Sequence, residues 1–120
     1  MTQEEIEGNK LIAEFKCTKS FDTYYDPEGQ FHFEILDSKY HSSWSWLMPV
    51  VEKISKIPLI GARDKQDVCY PLTFGMPNGE TGNPMVRFNG CFISEATTLM
   101  EATWLAVVAF IKWYNLNKQS

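Results

Sequence analysis

The sequence predicts an α+β fold in the order helix, hairpin, helix, hairpin, helix, with a mainly antiparallel sheet of about four strands packed against the helices. Thr-x-x-Glu capping patterns open the first and last helices, at Thr2–Glu5 and Thr98–Glu101. Between them, two stretches alternate apolar and polar residues with the period of a β-strand. A chain of 120 residues is expected to form one domain, residues 1–120.

The last helix is expected to lie at the centre of this fold. No residue between Glu101 and Lys112 is charged. A helix with a single buried stripe keeps its charged residues on the opposite face. We therefore expect other elements, or another subunit, to cover this stretch on more than one side. The helix itself is expected to run to about Asn117.

The first helix is predicted to end near Lys16. Gly8 lies inside it and weakens it slightly, because glycine loses more backbone freedom than other residues on folding. One face of the helix is apolar and is formed by Ile6, Leu11, Ile12 and Phe15. This pattern is typical of a helix that packs one side on a core.

Phe21 to Leu36 is predicted to form two short strands. The turn between them is Asp26-Pro27-Glu28-Gly29, with proline and glycine at the second and fourth positions of a type I turn. The pattern leaves the register of this first hairpin open.

The second helix is expected to run to about Lys56 and to be capped by Ser42 or Ser43. Its main apolar stripe consists of Trp44, Leu47, Met48, Val51 and Ile54. Pro49 lies inside it and removes one backbone hydrogen bond. We therefore expect a kink or an irregular first turn there.

The second hairpin is predicted from Val68–Gly75 and Met85–Ile93, folded symmetrically about Glu80. This register places apolar residues opposite one another on a single face, and a slip of one residue would destroy that division. The predicted apolar pairs are Val68–Phe92, Tyr70–Gly90, Leu72–Phe88 and Phe74–Val86. The connection, Met76–Pro84, is long for a hairpin loop.

The cysteine pattern argues against a zinc site or a disulfide framework, because there are three cysteines and no Cys-x-x-Cys spacing. In the predicted hairpin, Cys69 and Cys91 are cross-strand neighbours that remain reduced. No stretch approaches the roughly 20 apolar residues that span a bilayer, and the first residues lack the features of a secretory signal. We therefore expect a cytoplasmic protein without a membrane segment.

The net charge of −4 and the absence of a lysine and arginine cluster disfavour binding of nucleic acid, which normally needs a basic face. The sequence also lacks a nucleophile motif, a phosphate-binding loop and a dinucleotide fingerprint. It therefore predicts no cofactor, no catalytic residue and no metal ligand.

Three features remain as candidates for binding. His32 and Glu34 share the outward face of a predicted strand, where a metal or an acid–base pair is conceivable; an exposed polar strand face is the simpler interpretation. The loop Met76–Pro84 is a second candidate, since binding residues are often carried by loops. Trp46 and Trp113 form the third, a candidate interaction surface, with core packing as the alternative.

Three segments carry a family resemblance: Glu7–Phe15, Tyr40–Ile54 and Trp104–Asn115. They resemble segments of uncharacterised small proteins of Bacteroides phages and prophages, a group that is similar to the phage α-β-α sandwich domains. The resemblance implies a phage or prophage origin and assigns no catalytic residues.

Two hypotheses about function follow. In the first, the chain is a non-enzymatic phage or prophage accessory protein that acts by binding another protein or by self-association. In the alternative, it is a small ligand-binding or enzymatic domain that uses the His32/Glu34 strand face or the Met76–Pro84 loop.

Overall fold

A computed structural model describes residues 1–56, 59–60, 67–68, 73–77, 79–88 and 92–117. The fold class is α+β, as predicted, and the sheets are antiparallel. The described residues contain three α-helices and eight short strands in separate sheets of three, two and three strands, so a single sheet of about four strands is not seen.

Helix α1 spans Gln3–Lys16, and its capping box is formed as predicted. The Thr2 hydroxyl accepts the Glu5 backbone N–H, and the Glu5 carboxylate accepts the Thr2 backbone N–H. The C-terminal end is held from α2, because Lys53 Nζ donates to the Phe15 carbonyl at 2.7 Å. The same ammonium group lies 4.6 Å from the centre of the Phe15 ring.

A three-stranded meander follows: β1 (Thr18–Ser20), β2 (Thr23–Asp26) and β3 (Phe31–Glu34). The chain turns after β2 at the predicted residues, where Asp26 Oδ1 accepts the backbone N–H groups of Glu28 and Gly29. The backbone bond runs from the Gln30 N–H to the Asp26 carbonyl, so the turn is one residue longer than the predicted type I turn. Strand β3 is shorter than expected and leads into a 3-10 turn at Ile35–Asp37. The residues of β1, Thr-Lys-Ser, are all polar and exposed, so the sequence carried no alternation by which β1 could be predicted.

Helix α2 spans Trp44–Ser55 with Ser43 at its N-cap, and it continues through Pro49. Its residue Trp46 packs against rings from the meander and from the loop before the helix. Phe33 and Tyr40 both meet the Trp46 ring edge-on, at centroid distances of 5.0 and 5.1 Å. This contact joins the first sheet to α2.

The second half of the chain departs from the predicted hairpin. Strands β4 (Leu59–Ile60) and β5 (Asp67–Val68) pair with each other. Strands β6 (Thr73–Pro77), β7 (Pro84–Phe88) and β8 (Phe92–Glu95) form a three-stranded sheet.

The predicted register is correct at Phe74 and wrong further out. Phe74 lies opposite Val86, as predicted, and an irregularity between Phe74 and Met76 shifts the pairs next to the loop by one residue. Phe92 lies opposite Phe88, whereas Val68 lies opposite Leu59, so the predicted Val68–Phe92 pair is wrong. The stretch that separates Phe88 from Phe92 begins with Asn-Gly, a dipeptide that favours a tight turn over a continuing strand. The predicted Cys69–Cys91 pair lies outside the described residues.

Helix α3, Leu99–Asn117, occupies the centre of the molecule as predicted. It contacts β7 and β8 of the last sheet, and it also contacts α1 and α2. Between Ala102 and Ile111 only Leu105 and Ala109 are not buried, and both of these are half-buried. The described part of the chain has no helix with the length and apolarity to span a membrane.

Candidate functional site

The candidate site is a groove between α1 and α3. The two helices run in the same direction, because Gly8 lies against Trp104 near one end and the Phe15 ring lies 5.7 Å from the Tyr114 ring near the other. A Cβ atom at Gly8 would overlap the Trp104 ring and lie 3.1 Å from Val108 Cγ2. Glycine at this position is therefore what lets the two helices approach closely.

The groove has a volume of about 690 Å³ and an apolar interior. Leu11 of α1 and Leu105 and Ala109 of α3 are its half-buried apolar wall residues. Charged side chains surround this interior and are all exposed. They comprise four carboxylates and two ammonium groups: Glu4, Glu7, Glu14, Glu95, Lys10 and Lys112.

A buried polar hub fixes the floor of the groove. Trp104 Nε1 donates to Asn9 Oδ1 at 2.9 Å, and Asn9 is fully buried. An indole N–H can only donate, so the Asn9 atom that it meets must be the oxygen, and the Asn9 amide group must point away. That amide donates to Ser38 Oγ at 3.0 Å and lies 2.9 Å from His41 Nδ1, which therefore accepts. Trp104 is thus held in one orientation.

A second cavity of about 390 Å³ continues from the groove at the N-terminal ends of both helices. It shares Glu4, Trp104 and Leu105 with the groove and adds Glu5 and Glu101. The backbone N–H of Thr2 holds the pKa of the Glu5 carboxyl below its ordinary value. Three carboxylates, Glu4, Glu5 and Glu101, therefore line this end, where His41 also lies.

The residues predicted from sequence lie elsewhere. His32 and Glu34 are both exposed on β3, and the His32 ring lies 4.8 Å from the Tyr25 ring. The cavity of about 330 Å³ beside Glu34 is lined by other residues of the meander and by Lys10, and His32 is not among them. The structure therefore does not enclose the two side chains in a common pocket there.

Trp46 and Trp113 are both half-buried and lie outside the residues that line the groove. Trp46 packs edge-on against Phe31 and Phe33, at centroid distances of 5.1 and 5.0 Å. Trp113 lies 5.8 Å from the Phe110 ring. Both tryptophans take part in packing, and their use as an interaction surface stays a prediction.

The loop predicted at Met76–Pro84 is shorter than expected, since Met76 and Pro77 end β6 and Pro84 begins β7. Within it, Thr81 Oγ1 and Asn83 Nδ2 both donate to Glu95 Oε2, at 3.2 and 3.4 Å. The loop is therefore tied to the end of β8, beside the groove.

A buried ion pair lies on the opposite side of α1 from the groove. Lys16 Nζ donates to both carboxylate oxygens of Asp26, at 2.7 and 2.9 Å, and both side chains are almost fully buried. Together with Trp46 and Phe31 they line a cavity of about 350 Å³. Because each charge is matched within the pair, we interpret it as a clamp between α1 and the turn after β2.

Cys17 lies near this pair, and its Sγ is 3.5 Å from the Tyr40 hydroxyl. Burial raises the pKa of the Cys17 thiol, so it is not activated as a nucleophile. Among the described residues, no group of three or more histidine, cysteine, aspartate or glutamate side chains is placed to hold a metal ion.

Sequence reasoning missed the groove because it depends on which helices pack together. Gly8 was the available signal: a glycine inside a helix often marks a close approach of another element. Comparison with known proteins adds no family assignment. No protein-family model matches the chain, and no curated protein or solved structure matches it either.

Proposed function

We propose that the protein acts by binding another protein, with the groove between α1 and α3 as its binding surface. The observation that supports this most directly is the coverage of α3. Its charge-free stretch is buried except at Leu105 and Ala109, and these two half-buried residues both line the groove. A partner that covers them would complete the burial of the central helix.

The chemistry of the groove supports binding rather than catalysis. Its walls are aliphatic, and its titratable groups are exposed carboxylates and lysines. A helix that lays its apolar face into a groove between two helices is a common mode of protein recognition. That the chain is a phage or prophage accessory protein is proposed from the family resemblance of the segments that contain Phe15, Trp46 and Trp104.

The test is affinity capture from cells that encode the chain, with paired variants. Leu11→Gln replaces a wall residue of the groove, whereas Leu36→Gln makes the same change at a leucine that is 69% exposed and outside it. We expect a captured protein to be retained by the wild type and by Leu36→Gln and to be lost with Leu11→Gln.

A second groove variant distinguishes a loss of binding from a loss of folding. Ala109→Gln adds a neutral side chain to the groove wall without removing a contact, and thermal melting of both groove variants establishes that they are folded. A captured protein that binds all the variants equally well would contradict the proposed surface.

A further inference from the structure

The distribution of charge around the groove specifies the chemistry of its occupant. We propose that the occupant is a cationic amphipathic helix of another protein, whose basic residues gather over the N-terminal ends of α1 and α3. This inference rests on the proposed function, because it assumes that the groove is a protein-binding surface.

The acidic groups are concentrated at one end of the groove. Glu4 and Glu7 lie in the first two turns of α1, and Glu95 ends β8 just before α3 begins. The first two turns of α1 therefore contribute two carboxylates to this end, and the adjoining cavity adds Glu5 and Glu101 together with His41. Glu95 already accepts hydrogen bonds from Thr81 and Asn83 and is not part of this set.

The other end carries a mixed charge. Lys10 lies midway along α1, and Glu14 and Lys112 lie near the C-terminal ends of the groove walls. The positive charge available within the groove is therefore set apart from the carboxylates at the acidic end. Cations on a ligand would therefore complement the carboxylates at that end.

The dimensions suit a helix. Glu4 and Glu14 are ten positions apart on α1, which corresponds to about 15 Å or nearly three turns at 1.5 Å per residue. A third helix lying in the groove would place its apolar stripe on Leu11, Leu105 and Ala109. Lysine or arginine stems at its edge would cover apolar surface while their charged ends reach the carboxylates.

Other occupants fit the charges less well. A second copy of the chain would bring Lys10 and Lys112, but it would also bring its own four carboxylates, so negative charge would remain in excess at the interface. Nucleic acid and anionic lipid surfaces would be repelled by the acidic end. A cationic helix matches both the carboxylates at that end and the apolar interior.

The test uses fluorescein-labelled synthetic peptides and fluorescence anisotropy with the full chain. One peptide of about 14 residues, or ~21 Å of helix, carries leucines with helical spacing and four lysines at one end. The second replaces the lysines by glutamates. We expect the lysine peptide to bind at least about tenfold more tightly than the glutamate peptide and to weaken as salt is raised.

Matched variants of the protein locate the contact. Glu4→Gln with Glu7→Gln should weaken binding of the lysine peptide by about three- to tenfold, because each exposed pair contributes modestly. Glu34→Gln with Asp37→Asn removes the same charge from exposed positions outside the groove and should leave binding unchanged. Glu7→Gln alone should weaken binding more than Glu14→Gln alone.

The outcomes separate the two proposals. The cationic occupant would be overturned if both peptides bound equally well, or if Glu7→Gln and Glu14→Gln weakened binding of the lysine peptide equally. The groove would still stand as the binding surface if Leu11→Gln weakened binding in the same experiment. Binding of the lysine peptide that is indifferent to Leu11→Gln and Ala109→Gln would overturn the groove itself. No binding by the lysine peptide at millimolar concentration would also overturn the cationic occupant.

Discussion

At the scale of single residues, Gly8 shows how a helix-weakening residue is required by packing. Alanine is the better helix former by about 1 kcal/mol, so an exposed helical glycine is normally improved by this substitution. At Gly8 the added Cβ would overlap the Trp104 ring. The ring cannot turn aside without losing its hydrogen bond to Asn9, which is buried.

We expect Gly8→Ala to lower the free energy of unfolding by about 1–3 kcal/mol, because overpacking outweighs helix propensity here. Urea denaturation monitored by circular dichroism measures this. Gly79→Ala is the control, since a Cβ at Gly79 meets nothing within 4 Å. A Gly8→Ala protein more stable than the wild type would show that the helices can separate freely.

The Lys16–Asp26 pair gives a prediction about pH. Burial opposes ionisation of Asp26, but the hydrogen bonds from Lys16 and from the Gly29 and Glu28 backbone outweigh it and hold the pKa of the carboxyl below its ordinary value. The stability contributed by this ionised group is therefore present above the unfolded pKa of about 3.9 and is lost as pH falls through the lower folded pKa.

We expect Asp26→Asn to reduce stability at neutral pH by roughly 3–5 kcal/mol, because it leaves a buried ammonium group without its carboxylate. Its loss of stability between about pH 4 and pH 2 should also be smaller than that of the wild type. Denaturant titrations across this range measure both effects, with Asp37→Asn as an exposed control. Parallel pH profiles for Asp26→Asn and the wild type would contradict the assignment.

At the scale of the elements, α3 is the one whose disruption should be most damaging. Ala106 is fully buried and Ala109, almost one turn later, is half-buried in the groove wall. An aspartate at Ala106 would place a charge in the core without a partner, at a cost of more than about 4 kcal/mol. That is a large part of the stability of a typical domain.

We therefore expect Ala106→Asp to unfold the domain and Ala109→Asp to leave it folded with a modestly lower melting temperature. Soluble yield and thermal melting of the two variants provide the comparison. If both variants melted alike, the burial that distinguishes the two positions would not exist in solution.

Elements that depend on neighbouring residues could be predicted from the sequence. The capping box at Thr2–Glu5 and the turn at Asp26 are closed by hydrogen bonds over two or three residues, so their residue types alone identify them. The charge-free run of α3 similarly predicted its burial.

Elements that depend on contacts between residues far apart in the sequence could not be predicted. The symmetric alternation around Glu80 fitted one long hairpin, whereas the chain pairs Val68 with Leu59 and Phe88 with Phe92. The groove was missed for the same reason. Nothing local to Leu11 indicates that Leu105 and Ala109 share its groove.

At the scale of the whole molecule, the excess of carboxylates around the groove opposes pairing of two copies through this surface. We expect the purified chain to be a monomer at micromolar concentration and moderate salt. Sedimentation velocity measures this. A dimer that dissociates in the Leu11→Gln variant would instead identify a second copy as the occupant.

The two helices that form the groove lie near opposite ends of the sequence, and this separation determines when the groove can form. The Asn9–Trp104 hydrogen bond joins residues 95 positions apart, and the residues that line the groove extend from Glu4 to Lys112. Contacts between such distant residues form late, because a long stretch of chain must first be ordered. During synthesis the groove is consequently absent until the third helix has emerged from the ribosome.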